Sequence, residues 1–179
     1  MERFLPLIPK HARVLDLACG SGRHTQLLAK HAYSVLALDR DLSALETCKN
    51  ELPLNSSVEL KHVDLEANIW PLEGVEQFSG MIVTNYLYRP RMNRLLDLIA
   101  PGGVVIYETF AVGNEVFGKP SNPNFLLQSQ ELLHWIGACK DFEVIAFEQG
   151  RIDFPKPASI QRICAVRGAS LPLQLIDEL

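Results

Sequence analysis

Val14-Leu15-Asp16-Leu17-Ala18-Cys19-Gly20-Ser21-Gly22 is the stretch on which the reading of this chain turns. Its apolar residues read as a buried parallel strand that stops near Ala18, and two glycines one residue apart follow. Glycine at such a turn permits positive φ and lets a ligand approach bare backbone. The free N–H groups of the helix that follows would point into the same crevice. Nucleoside-bearing cofactors are held in this way in open α/β sheets, just beyond the carboxyl ends of the strands.

The turn also excludes one kind of ligand. A dinucleotide site asks for G-x-G-x-x-G, and in the register from Gly20 the third glycine position is Thr25. Asp16, four residues ahead of Gly20, would repel a pyrophosphate and suits a ligand with a cationic end. S-adenosylmethionine has an α-ammonium, a sulfonium and no phosphate. The D-x-A-C-G-S-G run resembles the glycine-rich motif of the class I S-adenosylmethionine-dependent methyltransferases.

Composition sets wide bounds. At 179 residues, 47% hydrophobic and 21% charged, the chain reads as one globular domain over 1–179. A net charge of −4 gives no basis for a sequence-independent grip on nucleic acid. No apolar run approaches the ~20 residues of a membrane span, and the N-terminus lacks a signal-peptide core. Cys19, Cys48, Cys139 and Cys164 are scattered without a C-x-x-C pair, so a zinc site is not expected and reduced thiols in a cytoplasmic protein are.

Downstream of the turn, residues 23–32 read as a helix and 34–38 as a second strand ending at Asp39. Asp39 lies 17 residues beyond Gly22, near the ~20-residue offset at which an acid meets ribose hydroxyls. A second helix begins near Leu42, with Asp41 or Ser43 as its cap. Residues 58–63 alternate as a third strand with Asp64 at its end, and 80–84 form a fourth ending in Asn85-Tyr86. A helix over 91–100, a Pro101-Gly102-Gly103 turn and a fifth strand to Glu108 follow. Residues 111–125 are irregular, and a loop of that length without structure is a lid or disordered. A helix over 131–138 and strands over 142–147 and 160–166 complete the pattern, the last two joined tightly enough for an antiparallel pair. The tail over 170–179 shows no decisive pattern.

The resemblance covers nearly the whole chain. It implies a Rossmann-like α/β fold: a seven-stranded, mostly parallel sheet in the order 3-2-1-4-5-7-6, the last strand antiparallel, with helices on both faces. The runs Asn85–Pro90, Glu108–Ala111 and Gly118–Leu127 are similar to a subgroup of small bacterial methyltransferases grouped with the tellurite-resistance type. The implied cofactor is S-adenosylmethionine, without a metal. Its contacts would come from Asp16, Ala18, Gly20 and Gly22 at the turn, Asp39 and Arg40 after the second strand, Asp64 and Leu65 after the third, and Asn85 after the fourth. Asn85, Tyr86 and Glu108 are the candidates for the chemistry: Tyr86 to support a sulfonium by cation–π attraction, Glu108 as a general base. Arg89, Lys119 and Asn122 are the candidates for holding a substrate, Arg89 an anionic one. Asn85-Tyr86-Leu87-Tyr88 lacks the two prolines of the Asn/Asp-Pro-Pro-Tyr motif used to methylate base or amide nitrogens, which turns the expectation towards another small-molecule acceptor. His24, His31 and His62 read as structural or exposed, and Cys19 as a small residue lining the turn.

Two other classes remain open at this point. One is a module that binds S-adenosylmethionine or S-adenosylhomocysteine without methylating anything, suggested by the short lead-in before the first strand. The other, more remote, is a nicotinamide-dependent oxidoreductase, against which Thr25 argues. A monomer or homodimer acting on a small molecule, without nucleic acid or membrane, is the expected setting.

Overall fold

The computed structural model describes residues 2–168, so the tail reading at 170–179 lies outside the described residues. Seven strands form one sheet: β1 (Arg13–Leu17), β2 (Ser34–Asp39), β3 (Val58–His62), β4 (Phe78–Thr84), β5 (Ile99–Phe110), β6 (Phe142–Ile152) and β7 (Ala158–Arg167). Their order is β3-β2-β1-β4-β5-β7-β6. β1 to β5 pair in parallel, and β7 runs antiparallel to both β5 and β6. This is the expected Rossmann-like topology.

Alternation along the central strands divides the core in two. Leu15, Leu17, Leu36, Leu38, Met81, Val83, Val105 and Tyr107 project to one face. There they meet α3 (Met92–Asp97) through Leu95 and Leu96, and α4 (Glu131–Gly137) through Leu132 and Ile136. Val14, Val35, Ala37, Ile82, Val104 and Ile106 project to the other face. They are covered by Leu28 of α1 (Arg23–Lys30), by Phe4 and Leu5 of an N-terminal 3-10 segment (Glu2–Leu7) and by Ile8 just after it. Central strands buried on both sides explain why 14–17, 35–38 and 80–83 read as continuous apolar runs. Asp41 caps α2 (Leu42–Asn50), its carboxylate accepting from the amides of Ser43 and Ala44.

Two expectations need correction. The helix expected over 91–100 is a 3-10 turn over Arg89–Arg91 and a shorter α3 ending at Asp97. Ile99 joins the sheet opposite Phe78 instead, where it is fully buried. Pro101-Gly102-Gly103 is therefore not a turn ahead of β5 but an irregularity within it, since pairing jumps from Phe78–Ile99 to Gly80–Val104. Proline and a left-handed Gly102 (φ +77°) break the ladder there without ending the strand. The last two strands also run longer than alternation indicated, as an extended antiparallel ribbon from Phe142–Arg167 to Ile152–Ala158.

The stretch 111–125 holds two short 3-10 turns, Asn114–Val116 and Pro123–Phe125. Its ends are pinned together by backbone bonds from Leu127 to Phe110 and from Val112 to Leu127. Asn114, almost fully buried, fastens its middle: the side-chain amide donates to the Pro120 carbonyl at 3.0 Å and accepts from the Ser159 amide at 3.2 Å.

Candidate functional site

A cavity of about 620 Å³ lies across the carboxyl ends of β1 to β5. That size suits a small-molecule ligand. Ala18, Cys19, Gly20 and Ser21 line it after β1, with Asp39 at the end of β2 and Arg40 just beyond. Val63, Asp64, Leu65 and Glu66 follow β3. Thr84 to Leu87 follow β4, and Phe110, Pro120 and Phe125 close the β5 end.

The turn is held by its neighbour strand. The Gly20 amide donates to Asp39 Oδ2 at 2.7 Å, and the Asp41 amide donates to Asp39 Oδ1 at 2.9 Å. Two backbone donors therefore fix this carboxylate at the wall of the cavity. A carboxylate has about four acceptor positions, so capacity for ligand hydroxyls remains. Asp64 is fixed similarly, Oδ1 accepting from the Glu66 amide at 2.9 Å. Ala18 (φ +56°) and Asn85 (φ +54°) are left-handed non-glycine residues at the ends of β1 and β4, and both line the cavity. Backbone held in this sparsely populated region concentrates at ligand sites.

Several residues singled out in the sequence stand elsewhere. Asp16 is not on the cavity wall. It is 1% exposed and accepts the Thr25 hydroxyl at 2.5 Å, tying β1 to α1. Burial raises its pKa to about 6, against the lowering effect of the Thr25 bonds. Thr25, which replaces the third glycine of a dinucleotide turn, is thus the partner of a buried acid. Gly22 serves packing: with φ +85° it precedes α1, and a Cβ there would lie 2.8 Å from Cys48 Cβ of α2. Both roles depend on neighbours that the local motif does not name.

Glu108 faces away from the cavity. It lies with Arg162 at 3.6 Å on the wall of a second, more open cavity of about 840 Å³, between α1 and the β6–β7 ribbon. Arg162 is also paired with Glu148, which Arg3 reaches from the N-terminal segment. Arg89 is a clasp. Its guanidinium holds Glu131 at 2.6 and 2.8 Å and donates to the carbonyls of Asn124 (2.8 Å) and Leu126 (2.7 Å). Asn122 caps the turn that follows it, and Lys119 is exposed and absent from the cavity wall.

The structure also brings to the cavity His24, which the sequence reads as structural or exposed. His24 borders both cavities. Its Nε2 lies 3.0 Å from an Arg23 nitrogen, and its Nδ1 is buried without a partner. Burial and the adjacent Arg23 charge lower its pKa to about 4. Tyr86, a sequence candidate for the chemistry, does line the cavity, and burial lifts its phenol well above its usual range, with Glu66 and Asp64 acting in the same direction. Phe110, Pro120 and Phe125 fall in the Glu108–Ala111 and Gly118–Leu127 runs that carry the subgroup resemblance, but no local feature marked them as wall residues. Among the described residues no group of three or more His, Cys, Asp and Glu is arranged to hold a metal, and no helix is long and apolar enough to cross a membrane.

Comparison with known proteins places this geometry in context. Residues 14–103 match a family described as methyltransferase domain. The chain is 28% identical over 156 residues to a tRNA U34 carboxymethyltransferase of Saccharophagus degradans, an alignment covering 77% of this chain and 48% of that protein. It is 34% identical over 102 residues to a trans-aconitate 2-methyltransferase of Rhodopseudomonas palustris, covering 52% and 36%. The chain thus spans about half, or less, of the length of these curated relatives. Among solved structures, TehB of Haemophilus influenzae superposes with a TM-score of 0.73 at 18% identity, covering 93% of this chain and 61% of that one. The last likeness is one of fold.

Proposed function

The chain belongs to the methyltransferase domain family, and from that premise we propose that it transfers the methyl group of S-adenosylmethionine to a nucleophilic atom of a small molecule. The observation that carries this reading is the pair of backbone-anchored carboxylates, Asp39 and Asp64, at the ends of adjacent strands in the same cavity as the Gly20 turn. Their chemistry fits the cofactor: Asp39 would take the ribose hydroxyls, and Asp64 the adenine amino group with Leu65 against the ring. Bare backbone at Ala18–Gly20 would receive the methionine part. No phosphate partner is required, in keeping with the acids present.

When bound, the cofactor supplies a methyl on a sulfonium. The acceptor X–H becomes X–CH3, the C–S electron pair stays on sulfur as the thioether S-adenosylhomocysteine, and the acceptor proton passes to water. Because the leaving group is already activated, this chain's task is to align and desolvate the nucleophile. Asn85, left-handed just beyond β4 and on the cavity wall, would orient an acceptor with its amide. Glu108 is not assigned as base, since its carboxylate pairs with Arg162 outside the cavity. The proposal includes one domain over 1–179 and a cytoplasmic setting.

Calorimetric titration with S-adenosylmethionine and S-adenosylhomocysteine tests the cofactor half, and mass-spectrometric detection of methylated product across an acceptor panel tests the transfer. Binding of both at one site with product formed supports the proposal. Binding without product from any acceptor would favour a cofactor-binding module. No binding to folded protein would refute the reading.

A further inference from the structure

The cavity wall is charged at one end and uncharged at the other. Four of its charged lining residues, Asp39, Arg40, Asp64 and Glu66, end or follow β2 and β3, and the fifth, Arg23, starts α1 on the side shared with the second cavity. From β4 onward the lining is Thr84, Asn85, Tyr86 and Leu87, then Phe110, Pro120 and Phe125, with no charge among them. The sheet order converts this chemical division into a spatial one, since β3, β2, β1, β4 and β5 lie side by side.

Of the cations near the β5 end, Lys119 is exposed and off the cavity wall, and three arginines are engaged by partners. Arg89 is bound by Glu131 and two carbonyls, Arg162 by Glu108 and Glu148, and Arg151 by Asp153. A carboxylate or phosphate laid against this stretch of wall would lose hydration without gaining an ionic partner from the wall itself, which is unfavourable. The aromatic faces of Phe110 and Phe125, with the Pro120 ring, instead favour a flat apolar surface. These groups are held in place: Asn114 bonds the Pro120 carbonyl, Arg89 bonds the carbonyl preceding Phe125, and Phe110 is the last residue of β5.

We propose that the acceptor is an uncharged molecule that lays a planar, apolar body against Phe110, Pro120 and Phe125. This rests on the methyl-transfer reading, which places the nucleoside over β2 and β3 and leaves the β5 end for the acceptor. It separates this site from one built for an anionic acceptor such as aconitate.

The test uses two probes of one shape, 2-naphthol (uncharged at neutral pH) and 2-naphthoate. Each is titrated calorimetrically into the full-length protein, with and without saturating S-adenosylhomocysteine. The expected result is that naphthol binds about ten-fold or more tightly than naphthoate. Phe125→Ala, at a half-exposed position, should weaken naphthol binding about five-fold or more while the S-adenosylhomocysteine affinity holds. Naphthoate binding as tightly as naphthol, or an absence of naphthol binding, overturns the proposal. Failure of S-adenosylhomocysteine alone to bind refutes the functional reading instead, and the naphthol comparison on unliganded protein still reports on the apolar end.

Discussion

Asp16→Asn should remove a pH dependence from the stability of this protein. Asp16 lies in β1, 1% exposed, with the Thr25 hydroxyl 2.5 Å from its carboxylate. Burial raises its pKa from 3.8 to about 6; the Thr25 bonds oppose the rise, and the Asp39 charge adds to it. A folded-state pKa above the unfolded value means that the folded state holds the proton more tightly. The stability this contributes is fully present below pH 3.8 and is lost as the pH rises through about 6. Two pKa units correspond to ~3 kcal/mol. Asparagine cannot ionise, so its stability lacks this component. Its NH2 group needs a buried partner that the carboxylate did not, a pH-independent cost of about 1–3 kcal/mol. Urea denaturation of both proteins, from about pH 4 to pH 8, reads the difference while cancelling groups common to both. Wild type should lose ~2.5 kcal/mol relative to Asp16→Asn across that window, the rest of the ~3 kcal/mol falling below pH 4. A difference that stays flat would refute the assignment of a buried, reluctantly ionised Asp16.

Gly22→Ala should destabilise the fold by about 2–4 kcal/mol, because it combines a left-handed residue with a clash against Cys48. Adding Cys48→Ala, which removes the Sγ that the new Cβ also meets, should recover part of that loss in thermal denaturation; no recovery would put the strain in the backbone and the remaining Cβ contact. Asp39→Ala should weaken S-adenosylmethionine binding about ten- to a hundred-fold, since it removes ribose acceptors and releases the Gly20 amide. Unchanged affinity in a folded variant removes Asp39 from the site. Arg89→Gln should accelerate amide exchange over residues 124–131, whose carbonyls and Glu131 it clasps. Exchange confined to its wild-type rate would show that the clasp is dispensable.

What the chain determines locally was legible before any coordinates. The apolar runs at 14–17, 35–38 and 80–83 specify strands buried on both faces, and the residues between them specify crossovers. The Gly20 turn and Asp39 are also legible, because a tight turn and an acid at a set distance follow from backbone chemistry over one strand–helix–strand unit. The same holds for Asp41 as a helix cap. Side-chain direction and partnership are different, since they depend on residues far along the chain. Glu108 leaves the cavity because β7 pairs antiparallel with β5 and sets Arg162 beside it, 54 positions later. Arg89 is withdrawn from ligand binding by Glu131, 42 positions on, and Asn114 orders its stretch through Ser159, 45 positions on. Ile99 left its expected helix because burial opposite Phe78 outweighs a weak helical preference. The glycine turn is written in one short motif, whereas the uncharged character of the cavity wall at the β5 end emerges only when β5, β7 and the 111–127 stretch pack together.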